Sequence, residues 1–206
     1  KITAQDVKYA EDLGFRIKHL GIARRAANGI ELRVHPTLIP SEELIANVNG
    51  VKNAVLVQAH AVGPTLYYGA GAGAGPTASA GVADVIDNVR DISYTEDGAG
   101  TIPQLAFEAL TNVPILSREE MTTGYYIRLN AEDQTGVLAD VTTILSRAGI
   151  SIDAIMQQSR LKDLIPIVIL TDPVLESKMD EALAQIQALP TIHGEIIRIR
   201  LESLDS

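Results

Sequence analysis

From Tyr125 to Leu201 the hydrophobic pattern switches between a period of two and a helical period, and no other feature of the chain narrows the possible folds as much. YYIRLN (125–130) reads as a strand. VLADVTTILSRAG (137–149) carries Leu138, Val141, Ile144 and Leu145 at helical spacing, and Gly149 closes it. ISIDAIMQQS alternates as a strand, PIVILT (166–171) is a short apolar strand, LESKMDEALAQIQAL (175–189) is an amphipathic helix, and GEIIRIRL returns to alternation. The order is βαββαβ, a ferredoxin-like unit.

The first 68 residues predict a helix followed by a mostly antiparallel sheet. Thr3 with Asp6 forms a capping-box pattern ahead of Val7, Ala10 and Leu13, and Gly14 stands where a helix C-terminus favours glycine. FRIKHLGIA and GIELRVHPTLIP then alternate around an Asn28-Gly29 turn. In the second run Ile30, Leu32 and Val34 share one face and Glu31, Arg33 and His35 the other, which predicts a hairpin with the charged face in water. Ser41 caps a short helix, and VKNAVLVQAHAVG with TLYYG continues the sheet through a Gly63-Pro64 turn. A helix is expected over 77–90, begun by Pro76 and Thr77. SYTEDGAG (93–100) has no period and reads as a linker, followed by a weaker helical piece at 103–110 and a turn at 112–114.

Composition removes several classes of function. At 206 residues and 46% hydrophobic the chain can bury a core, and a formal charge of −9 disfavours nucleic acid and other polyanions. No apolar run has the length of a membrane helix, and the first residues lack a signal-peptide core. With no cysteine, thiol nucleophiles, disulfides and zinc-thiolate sites are excluded, and a cytoplasmic location is expected. The opening at Lys1, inside a helix start, suggests part of a longer chain.

Two loops are candidate binding sites. The run YGAGAGAGPTASA joins a strand to a helix, where phosphates are commonly held, but Pro76 stands three residues after Gly73 and breaks G-x-G-x-x-G. As a lone signal the run is weak: Gly71 and Gly73 can contact a ligand or let one backbone pass close to another, and both readings can hold at once. The loop EDQTGVL (132–138) also leads into a helix, whose first N–H groups can hold a carboxylate. Asp133, Gly136 and the amides of Val137 and Leu138 can therefore bind a small amino acid, or form an ordinary helix cap. The four histidines show no metal-ligand spacing, and no nucleophile elbow or triad order is present.

TAQDVKYAEDLGFRIKHLGIA, NGVKNAVLV, YGAGAGAGPTASA and VADVID together resemble the C-terminal half of homoserine dehydrogenase. The stretch YYIRLNAEDQTGVLADVTTILSRAGISIDAIMQQ resembles the ACT regulatory domain that many bacterial members append. The fold implied is α+β, a largely antiparallel substrate domain followed by the ferredoxin-like ACT unit. The implied division is 1–68 for part of the substrate and dimerisation domain and 69–92 for a crossing and a helix returning to the nucleotide domain. Residues 93–123 are then a linker and 124–203 the ACT domain.

The resemblance further implies NAD or NADP as cofactor, approached by Gly71, Gly73, Pro76 and Thr77. It implies L-threonine as effector, held by Asp133, Gln134, Gly136, Val137 and Leu138, in a homodimer or higher homo-oligomer. The catalytic lysine, the substrate-binding acids and the glycine fingerprint of the family lie upstream of Lys1, so no activity is expected of this chain alone. Two departures bear on sensing: the family's proline before the loop glycine is Thr135, and its Thr-His after the third ACT strand is Thr171-Asp172. A non-catalytic module that only binds an amino acid or only assembles stays open as the alternative.

Overall fold

The computed structural model describes residues 1–94, 112–157 and 164–204. In chain order the elements are α1 (Ala4–Asp12), β1 (Phe15–Ala26), β2 (Gly29–Pro40), β3 (Lys52–Ala59), β4 (Gly63–Ala70) and α2 (Ala74–Tyr94). They continue as β5 (Thr122–Glu132), α3 (Val137–Arg147), β6 (Ile152–Gln157), β7 (Leu164–Leu175), α4 (Glu176–Gln187) and β8 (Ile192–Leu201). Single 3-10 turns lie at Leu44–Asn47 and Arg118–Glu120. Among the described residues no helix is long and apolar enough to cross a membrane. The expected helical piece at 103–110 and most of the 93–100 stretch fall outside the described residues.

The chain forms two compact units: Lys1–Ala46 joins Val113–Ser206, and Asn47–Asn112 stands as the second. In the first unit a single sheet runs in the order β1-β2-β8-β5-β7-β6. Its last four strands are the ferredoxin-like βαββαβ unit, with β5 paired antiparallel to both β7 and β8, and β6 antiparallel to β7. The β1–β2 hairpin extends that sheet through a short parallel pairing of Thr37 with Arg200 and Leu38 with Leu201. This joining of distant segments has no local signature in the sequence.

Both faces of the ferredoxin-like sheet are covered. On one, α3 and α4 bring Val141, Leu145, Met179, Ala182 and Ile186 onto Ile127, Leu129 and Ile169. On the other, α1 lays Tyr9 and Ala10 against Tyr126, Val168 and Leu170, with Leu38 of β2 alongside. Each large apolar side chain buried in this way stabilises the unit by about 1.5–3 kcal/mol before the cost of ordering it. The all-apolar run of β7 is explained by burial on two faces at once.

The hairpin departs from expectation in one respect. Its alternation is as read, but its sides are exchanged: Glu31, Arg33, His35 and Thr37 are buried while Leu32 is 49% and Val34 72% exposed. The buried carboxylates and guanidinium compensate one another, since Arg33 pairs with Glu31 at 3.4 Å and with Glu202, and Arg24 reaches Glu202 at 2.8 Å. An alternating strand has two faces, and hydropathy names the inner one only when charged residues have no partners there. Here Glu202, 171 residues beyond Glu31, supplies the partner that the local sequence does not show.

The second unit contains the β3–β4 hairpin, registered from Lys52 opposite Ala70 to Ala59 opposite Gly63, and α2. α2 begins at Ala74, three residues before the expected start, so Pro76 lies in its first turn. Proline is tolerated there because the first N–H groups of a helix have no intrahelical acceptor. Val82, Val85, Ile86, Val89 and Ile92 make an apolar stripe along α2, and every one of them is exposed.

Candidate functional site

Each unit carries a loop in which a strand hands over to a helix through a glycine at positive φ. In the second unit β4 ends at Ala70, and Gly73, with φ of +124°, precedes the first helical residue of α2. The N–H of Thr77 donates to the Gly73 carbonyl at 3.0 Å, closing the first turn. Pro76 packs back on the same residue, its Cδ lying 3.3 Å from where a Gly73 Cβ would stand. Gly71 has a different constraint: a Cβ there would fall 1.6 Å from Nδ2 of Asn53 on β3. Its N–H donates to the Val51 carbonyl at 3.0 Å. Thus Gly71 is fixed by close approach and Gly73 by backbone conformation, while Gly75 has open space around it. Beside Gly71 a shallow groove of about 280 Å³ runs between Asn53, Val55, Tyr67 and Tyr68.

In the first unit β5 ends at Glu132, and the turn Asp133-Gln134-Thr135 leads to Gly136, with φ of +98°, as the N-cap of α3. The N–H of Asp140 donates to the Gly136 carbonyl at 2.9 Å. Val137 is buried and anchors the helix start, whereas Asp133, Gln134, Thr135 and Gly136 are exposed and Leu138 is partly so. The five effector candidates therefore lie together at one helix N-terminus, whose free N–H groups and dipole favour a carboxylate.

Two residues outside the five effector candidates, Glu132 and His193, border the turn. Glu132 Oε2 accepts from the Gln134 side-chain amide at 2.8 Å, and Glu132 Oε1 lies 2.7 Å from His193 Nε2. His193 sits opposite Asn130 in the sheet register, so β8 brings it to the end of β5. A larger cavity of about 520 Å³ lies in the first unit, where Ile2 faces Leu183 and Arg198, and none of the five effector candidates lines it.

Buried charge clusters tie α1 and α4 to the sheet. Asp6 accepts from the backbone N–H and the hydroxyl of Thr3, both at 2.8 Å, as its capping spacing predicts. It also accepts from Arg128 Nε at 2.6 Å, Arg128 Nη2 at 3.2 Å and the Tyr126 hydroxyl at 3.1 Å. Burial pushes the Asp6 carboxyl up, but the bonds from Arg128 and Thr3 outweigh it and hold the group below the usual carboxylate range. Glu176, fully buried at the start of α4, accepts from Tyr125 at 2.8 Å and Arg200 Nε at 2.8 Å, with Arg198 at 3.2 Å. There too burial alone would raise the pKa, and Arg200, Tyr125 and Arg198 bring it below the ordinary value. The sequence marks Asp6 as a cap and gives no sign of its second role across the sheet.

Residues 1–86 match the family model described as homoserine dehydrogenase, and residues 125–191 match the ACT domain. A homoserine dehydrogenase of Pseudomonas aeruginosa is 53% identical over all of this chain, which covers 48% of that protein. One of Neisseria gonorrhoeae is 48% identical over 99% of the chain and 47% of its own length. A solved homoserine dehydrogenase from Thiobacillus denitrificans superposes with a TM-score of 0.89 at 56% identity, covering 98% of this chain and 46% of that one. The chain thus spans about half the length of the relatives it matches.

Proposed function

We propose, from the premise that this chain belongs with the homoserine dehydrogenases and carries an ACT domain, that it is the substrate-side and regulatory half of such an enzyme. The reaction is the interconversion of L-aspartate 4-semialdehyde and L-homoserine, and the ACT domain returns feedback by L-threonine. The observation that carries this reading is the whole-chain likeness to homoserine dehydrogenases, family model and ACT domain in one order. The enzyme works in the cytoplasm as a homodimer or larger homo-oligomer.

NAD or NADP, when bound, supplies or accepts the hydride. The residues of the second unit fit the edge of such a site: Gly71 and Gly73 keep side chains away from the entry to α2, and Gly75 leaves its first turn open. Pro76 and Thr77 fix that turn. The exposed stripe Val82, Val85, Ile86 and Val89 is the face by which α2 returns to the nucleotide domain. No residue of this chain is assigned the proton transfer, and the chain alone is inactive.

In the first unit the start of α3 receives the threonine carboxylate, with Gly136 admitting it and Val137 and Leu138 offering their N–H groups. Asp133 and Gln134 flank the amino and hydroxyl groups. Feedback requires threonine to favour one arrangement of the enzyme over another.

The test joins this chain to the missing half and measures homoserine-dependent NAD(P) reduction with and without threonine. Titration calorimetry of the chain with threonine, using isoleucine and methionine as controls and Gly136→Asp as a blocked loop, locates the effector. Activity that ignores threonine, together with no heat of binding, would leave the ACT unit as an assembly module. No activity in the joined enzyme sinks the dehydrogenase reading.

A further inference from the structure

Residues 113–121 are fastened at both ends within the first unit. At one end Ile115 bridges to Ile30 of β2. The Ile30 N–H donates to the Pro114 carbonyl at 2.9 Å and the Leu116 N–H to the Ile30 carbonyl at 3.0 Å. Gly29 is required beside it, because a Cβ there would stand 2.3 Å from the Pro114 oxygen. At the other end the turn Arg118–Glu120, closed by the Ser117 N–H donating to Glu120 at 3.0 Å, rests on the first turns of α4. Arg118 pairs with Asp180, and its Nε lies 3.6 Å from Glu176. The Glu176 N–H donates to the Met121 carbonyl at 2.9 Å.

The two ends serve different neighbours. α4 shares one core with α3, Met179, Ala182 and Ile186 lying with Val141 and Leu145, and α3 starts at the effector loop. The hairpin is held to the ferredoxin-like unit by strand pairing at Thr37 and Leu38 and by Arg24 and Arg33 on Glu202, whereas the segment grips it at Ile30, about 10 Å beyond Arg33 at the usual rise. That grip lies beyond those fastenings, toward the turn end of the hairpin, where it is placed to bear on the hairpin's angle.

We propose that residues 113–121 are a strap by which the α3–α4 pair of the ACT domain controls the β1–β2 hairpin, and that Arg118 is its positioning residue on α4. The regulatory half of this proposal rests on the threonine reading above; the mechanical half does not. Arg118 is half exposed, so its ion pairs add little to stability, and its role is to hold the strap in register with α4. A threonine bound at the start of α3 acts on α4 through their common core, and α4 acts on the hairpin through Arg118 and the strap. Intermediate position alone does not establish such coupling, so the test measures the coupling itself.

Amide hydrogen exchange is followed at Ile30 and Leu116 in the wild-type chain and in Arg118→Ala, Arg118→Lys and Asp180→Asn. Arg118→Ala and Asp180→Asn should each speed exchange at those two amides by about threefold, leaving the Ile127 and Ile169 amides unchanged, and Arg118→Lys should restore most of the protection. Unchanged exchange at Ile30 and Leu116 overturns the strap. In the enzyme completed with the missing half, Arg118→Ala should keep its uninhibited kcat and KM and its heat of threonine binding. It should require about fivefold or more threonine for half-inhibition. Inhibition identical to wild type overturns the regulatory role. A wild-type enzyme that threonine neither binds nor inhibits overturns the feedback reading and that role together, and the exchange rates still decide the strap.

Discussion

Helix α3 begins behind Gly136 at φ +98° and α2 behind Gly73 at φ +124°; both follow a strand, and both carry apolar residues at helical spacing. On α3 the stripe Val137, Val141, Leu145 is buried against the sheet, while on α2 Val82, Val85, Ile86 and Val89 are exposed. Periodicity therefore tells that a helix has an inner face and not what lies against it. In the first unit the covering surface is within the chain. In the second, the proposed function places it in the half that this chain does not contain.

The sharpest contrast between the units is the buried ion pair that holds α1. Asp6→Ala leaves Arg128 and the Tyr126 hydroxyl buried without their acceptor, and is expected to destabilise the first unit by about 4 kcal/mol. Denaturant unfolding followed by tyrosine signals of that unit should show the loss, and amide exchange in β3 and β4 should not change. A loss shared by both units would show that they unfold as one.

Leu145→Ala opens a cavity in the α3–sheet core and should cost about 3 kcal/mol, whereas the matching truncation Val85→Ala on α2 should change this chain's stability by less than about 0.5 kcal/mol. In the enzyme completed with its other half, Val85→Ala should become costly. If Val85→Ala stays neutral there, α2 does not return to the nucleotide domain.

Acid distinguishes the units as well. Asp6 and Glu176 have folded pKa values below their ordinary ones, so each contributes stability that is present above the unfolded carboxylate range and is lost as pH falls through the folded value. The first unit should therefore weaken progressively below about pH 4, and Asp6→Asn should flatten that dependence, as read from urea midpoints across pH. A midpoint for the first unit that is independent of pH in this range would mean that these carboxylates are not paired in solution.

How much of this was legible depends on the range of the interactions. The βαββαβ order and the α1 cap at Thr3 and Asp6 are local matters of period and capping chemistry, and the structure agrees with them; the turn expected at Asn28-Gly29 lies one residue earlier, at Ala27-Asn28, with Gly29 already paired to Ala26. The inner face of β2 is not legible locally, because Arg33 pairs with Glu202, which lies far away in sequence and pairs in turn with Arg24 on the opposite strand. The same reason hid the pairing of β2 with β8 and the second role of Asp6. Gly71 stands out in the sequence only as one of a run of glycines, and the structure gives it a separate constraint, the Asn53 side chain. His193 was passed over because nothing near it in sequence points to Glu132.

The smallest effects test the two helices through their glycines. Gly136 has open space around it, so Gly136→Ala meets no clash and its cost is purely that of holding an L side chain at φ +98°, about 1–2 kcal/mol. Gly81 is the opposite case: it lies inside α2, without a positive φ and with nothing within 4 Å of a built Cβ. There alanine has the better helix propensity, and Gly81→Ala should stabilise α2 by about 0.5–1 kcal/mol. Circular dichroism and amide exchange along the two helices would read both changes, and their opposite sign is the informative part. If Gly81→Ala weakens the completed enzyme while strengthening this chain, the methyl group meets a surface that the missing half brings to α2.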